Sequence, residues 1–164
     1  STHMIPFEGN LMFRPILAAI LLALPALAGA QSQDVWADRY EKGIPILPEV
    51  FGALTEGRTL TYSDGYQDVY REYYPPGTNA VILRFIGAAE NECQTGIWRT
   101  EGDLICFDWD GSSTVCSGWV EHDGVVISQL YEDGMPLGGF EPISNFSDTP
   151  ITCMLGMVSY EAPQ

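Results

Sequence analysis

Hydrophobic positions follow three rhythms along the chain. From Pro15 to Leu27 they form an unbroken apolar run behind Met12 and Arg14. From Asp34 to Glu41 the side chains of Val35, Trp36, Arg39 and Tyr40 recur at helical spacing, and Gly43 with Pro45 beyond it supplies a stop. A second short helix is predicted over 48–55. Pro48 suits a first-turn position, Glu49 complements the positive helix start, Val50, Phe51 and Leu54 form the apolar set, and Gly57 ends it. After Arg58 the period changes to strict alternation, the signature of half-buried strands.

The alternating part is punctuated by acid-Gly pairs at Asp64-Gly65, Glu101-Gly102, Asp110-Gly111, Asp123-Gly124 and Asp133-Gly134. Such pairs mark tight hairpin turns that need positive φ. Strands are predicted over 59–63, 68–74, 80–85, 95–99, 104–109, 114–121 and 125–131, with 140–146 and 152–160 as closing strands. Pro75-Pro76-Gly77 marks a further turn. Consecutive strands without intervening helices give an all-β antiparallel meander, closing into a small barrel or half-barrel behind one or two short N-terminal helices.

The first apolar run is too short for a bilayer, which needs about 20 helical residues. Ala28-Gly29-Ala30 after it fits signal-peptidase cleavage. The expected organisation is therefore upstream residues and a cleaved signal peptide over 1–30, then a single secreted β domain over 31–164. That domain divides into a helical segment, 31–56, and a meander, 57–164. No Cys sits at the expected cleavage point to accept a lipid, so no stable membrane anchor is expected. The predicted localisation is periplasmic or secreted.

Charge narrows the partners. The chain carries a net charge of −15, with 22 acidic against 7 Lys and Arg residues. Such a surface repels phosphate, which argues against nucleic acid and anionic lipid. In an oxidising compartment Cys93, Cys106, Cys116 and Cys153 are expected to form two disulfides. Three connectivities are open. With the turn at Asp110-Gly111-Ser112, Trp109 faces Ser113, Phe107 faces Val115 and Cys106 faces Cys116, which favours a Cys106–Cys116 bridge and leaves Cys93 for Cys153.

The string Cys93 to Cys116, CQTGIWRTEGDLICFDWDGSSTVC, resembles a family of small uncharacterised secreted proteobacterial all-β proteins. Their pattern is C-x-x-G-x-W, then C-F-x-Y or W, then C. The similarity extends to a Gly-x-Thr-Leu-x-Tyr element at Gly57 to Tyr62 and to an aromatic strand with its turn at Arg71 to Gly77. The resemblance implies a lipocalin-like or half-barrel fold and transfers no catalytic residue.

Catalytic chemistry finds little support. Ser-His-Asp or Cys-His catalysis needs a proton-carrying histidine, and the segment after the leader has only His122, in a predicted hairpin tip. A carboxylate-dependent hydrolase would need an apposed acid pair in a cleft, and no acid stands out. Asp108-x-Asp110-Gly111 is part of a calcium loop, but the positions of the first and twelfth ligands hold Cys106 and Ser117. A hairpin turn is the favoured reading. No metal or cofactor is implied. The aromatic residues carry the remaining expectation: a noncatalytic module that holds a small apolar ligand against Trp98, Trp119, Tyr70, Tyr73 and Tyr74. The alternatives are an inhibitor or protein-interaction domain, acting through its N-terminal segment and acidic rim, and the small hydrolase.

Overall fold

The computed structural model describes residues 33–154. The expected leader, and the part of the last predicted strand beyond residue 154, lie outside them. Helix α1 covers residues 33–42 and α2 covers Pro48–Thr55. The strands are β1 (Ile44–Pro45), β2 (Thr59–Ser63), β3 (Asp68–Tyr73), β4 (Ala80–Phe85), β5 (Cys93–Glu101), β6 (Leu104–Trp109), β7 (Thr114–His122), β8 (Val125–Glu132) and β9 (Met135–Ser147).

Strands β2 to β9 pair antiparallel with their neighbours in sequence, and β9 returns to β2, so the meander closes into an eight-stranded up-and-down barrel. Closure leaves β1 as one short outer strand on β7. Asp123-Gly124 and Asp133-Gly134, with φ of 51° and 77° and of 50° and 75°, make the two tight turns that flank β8. These primed-turn conformations twist with the strands they join.

An eight-stranded barrel has an interior just wide enough to be filled by side chains or to hold one small ligand. Here the two ends differ. At the end that holds the β3–β4, β5–β6 and β7–β8 turns, α2 drives Phe51 into the barrel. Phe51 is 0% exposed and meets Tyr74, Trp98, Phe107 and Trp119 edge-on, at ring-centroid distances of 5.0–6.5 Å. Leu60, Val81 and Ile105 complete this plug. The sequence explains it: Pro48 starts the helix, Glu49 sits in its first turn, and one turn presents Phe51 and Thr55 inward.

The outer wall has two covers. On one side Tyr40 of α1 lies over Gly118, Gly43 lies against Val120, and Ile46 N–H donates to Trp119 O at 2.8 Å. On another, the segment 148–154 crosses β2 to β4. Thr59 Oγ1 donates to Thr149 O (2.6 Å), Arg84 Nη1 donates to Thr152 O (2.9 Å), and Cys93–Cys153 ties its end down. The second disulfide, Cys106–Cys116, joins directly opposed residues of β6 and β7, in the register that the sequence suggests.

Three expectations are corrected. The last strand of the barrel begins at Met135, not at residue 140, because the Asp133-Gly134 turn pairs Met135 with Glu132 at once. Residues 152–154 form no strand and run over the outer wall. The region 31–56 is not helical throughout, since β1 interrupts it to bond β7.

Candidate ligand-binding site

Above the plug the barrel is hollow. A cavity of about 330 Å³ is lined by Tyr62, Val69, Tyr70, Glu72, Leu83, Phe85, Phe107, Trp109, Val115, Ser117, Trp119, Ser128, Leu130 and Glu141. Alternation puts these side chains inside except Val69, which the β2 and β3 pairing skips at a register shift. On β3, Tyr70 and Glu72 share the inward parity, with Tyr74 continuing it beyond the strand end. On β5, Gly96 faces in opposite Trp109, and a Cβ there would stand 2.9 Å from the indole Cε3, so the missing side chain makes room for that ring. The mouth lies at the end that carries the Asp110-Gly111 and Asp133-Gly134 turns, where Phe85 is half exposed.

The wall is mostly apolar, but two carboxylates project into it. Glu72 is fully buried in the middle of the barrel; its Oε2 accepts the Tyr74 hydroxyl at 2.6 Å, and Tyr62 and Tyr74 oxygens lie 3.2 Å apart. Burial pushes the Glu72 carboxyl from 4.5 up to about 7; hydrogen bonds from Tyr62 and Tyr74 oppose that rise, and the charge of Glu141 adds to it. Glu141 on β9 accepts Tyr70 Oη at 2.8 Å and Ser128 Oγ at 3.3 Å, and burial raises its pKa as well. Tyr62, Tyr70 and Tyr74 are all held far above the usual phenol value, by burial first and then by Glu72, so they stay neutral donors. Tyr62 and Tyr70 stack at 4.5 Å, and Trp119 Nε1 donates to Ser117 Oγ at 2.6 Å.

The five aromatic residues expected from sequence separate. Trp119 and Tyr70 line the cavity. Tyr74 does not; it lies deeper, between Phe51 and Glu72. Trp98 also leaves the expected site, because its ring packs on Phe51 in the plug at 5.2 Å. Tyr73 takes the opposite parity from Tyr70 and Glu72 and faces out of the barrel. Sequence reasoning missed Glu72, Glu141, Tyr62 and Trp109. The available signal was the parity of Glu72 between two inward tyrosines.

The other candidate chemistry is absorbed structurally. His122 is beside the Asp123-Gly124 turn, its Nε2 3.4 Å from Asp123 Oδ2. Asp108 accepts from Arg99 Nε at 2.9 Å and Thr114 Oγ1 at 2.5 Å, while Asp110 accepts from Thr95 Oγ1. Glu101 lies close to Cys106 and Cys116, but both sulfurs are in the disulfide, which leaves one carboxylate to offer a cation. Among the described residues no helix is long and apolar enough to cross a membrane. The two disulfides fit an oxidising, extracellular type of compartment. Compared with family models, curated proteins and solved structures, the chain matches none.

Proposed function

We propose that this protein is a noncatalytic binding module that holds one small, largely apolar molecule inside its barrel, and that it works in the periplasm or outside the cell. The observation that carries the reading is the cavity of about 330 Å³ left between a plugged end and an aromatic mouth. Its volume lies at the small end of the roughly 300–1,000 Å³ usual for ligand pockets. A side-chain-filled barrel of the same strand number would need no such space. Allowing ~30 Å³ per non-hydrogen atom, as for liquid water, the cavity takes a ligand of about ten such atoms.

Trp119 and Trp109 make the reading testable by fluorescence, since both line the cavity. Titration with n-propylbenzene should quench or shift the emission to saturation at one equivalent, and Trp119→Phe should remove most of that response. Emission that ignores the probe, with no heat of binding by calorimetry, would refute the reading. Glu72 and Glu141 do share the cavity, as the two acids of a carboxylate hydrolase would. Both already accept hydroxyl hydrogen bonds from the wall, which supports ligand contact and positioning over catalysis.

A further inference from the structure

We infer that the barrel selects an organic cation: a molecule with a compact apolar body and an ammonium group seated between Glu72 and Glu141. This rests on the cavity being a ligand site and names the class of ligand that it takes.

Charge on the wall favours a cation. Glu72 and Glu141 are carboxylates on the cavity wall, and none of Arg39, Lys42, Arg58, Arg71, Arg84, Arg99 or His122 reaches it. Once both carboxyls are ionised, above about pH 7, a fatty acid or other organic anion would add a third negative group to a low-dielectric space without a partner, which is strongly unfavourable. An ammonium brings the missing counter-charge.

Hydrogen-bond stoichiometry favours a donor. Tyr74 Oη donates to Glu72, and Tyr62 Oη has both Glu72 and the Tyr74 oxygen within reach of its one proton; Tyr70 Oη and Ser128 Oγ donate to Glu141. Trp119 Nε1 donates to Ser117 Oγ, which donates to Ile105 O. What the interior has in surplus is acceptor capacity, because an ionised carboxylate offers about four lone-pair sites and donates nothing. A ligand that donates fits it, and an ammonium supplies three donors.

The aromatic wall favours the same class of ligand. The stacked Tyr62 and Tyr70 rings and the indole of Trp119 line the same cavity as the carboxylates, and aromatic faces attract a cation where water is excluded.

The test uses four probes that share a phenylalkyl body at pH 8, where Glu72 is mostly ionised: 2-phenylethylammonium, 2-phenylethanol, n-propylbenzene and 3-phenylpropionate, with affinities from isothermal calorimetry. Wild-type protein should bind 2-phenylethylammonium at least tenfold more tightly than either neutral probe and leave 3-phenylpropionate unbound. In E72Q/E141Q that preference should collapse to within twofold. If the double variant does not fold, E141Q, altered nearer the mouth, should still reduce the preference severalfold. A neutral probe that binds wild type as tightly as the ammonium overturns the cation inference and leaves the ligand reading standing. If none of the four binds at millimolar concentration, both fail.

Discussion

Glu72→Gln removes the fully buried carboxyl from the middle of the barrel. The amide keeps the length of the side chain and a carbonyl to accept the Tyr74 hydroxyl, now 2.6 Å from Glu72 Oε2, but it cannot titrate. In the folded protein the carboxyl holds its proton up to about pH 7, whereas its ordinary value is 4.5. Between those two values the folded state therefore binds more protons than the unfolded state, and stability falls as pH rises through the window. At ~1.4 kcal/mol per pH unit the full loss is about 3 kcal/mol, absent below pH 4.5 and complete above pH 7. The variant lacks this term, so its stability relative to wild type should improve by about 3 kcal/mol from pH 4.5 to pH 8. Urea denaturation of both proteins, with disulfides intact, at pH 4.5, 6 and 8 measures the difference. The exposed acids titrate in both and cancel. A gap that stays constant across the range, or shrinks as pH rises, refutes the claim that burial of Glu72 outweighs its hydrogen bonds.

Two further outcomes test the frame around the site. Phe51→Ala empties the plug between Tyr74, Trp98, Phe107 and Trp119, and should cost about 3–5 kcal/mol by urea denaturation while enlarging the cavity downward; a loss below 1 kcal/mol would show that α2 does not seal the barrel. Removing Cys93–Cys153, which spans 60 residues, should cost about 4 kcal/mol, against about 3 kcal/mol for Cys106–Cys116, which spans 10. The reverse order, from calorimetric melting of the two double-Ser variants, would contradict the loop-closure account.

Much of the barrel was legible because its turns are chemically explicit. Asp-Gly pairs and Pro-Pro-Gly set the strand boundaries, so the predicted 59–63, 80–85 and 104–109 coincide with β2, β4 and β6. Pro48 and Gly57 framed α2 in the same way. Closure was not fixed by local signals, since it depends on pairing Thr59–Tyr62 with residues of β9 far along the chain. The start of β9 was hidden by Pro136 and Gly138-Gly139, which read as loop but lie in and beside the irregular register opposite Gln129 and Leu130. At the site, aromatic content pointed to the right strands and only partly to the right side chains. Tyr70 and Trp119 line the cavity, whereas Trp98 and Tyr74 belong to the plug, because only the three-dimensional position of Phe51 decides which end is filled. Glu72 was obscured among 22 acids, although its alternation with Tyr70 and Tyr74 already required an inward carboxylate.

The central claim is an occupied barrel, and native mass spectrometry of the protein isolated from its own host tests it most directly. Spectra recorded under mild conditions and again after denaturation should show one small molecule lost on unfolding, and a polypeptide four hydrogens lighter than the reduced chain, as two disulfides require. A protein that arrives empty, and stays empty when n-propylbenzene and 2-phenylethylammonium are added to saturation, would contradict the account.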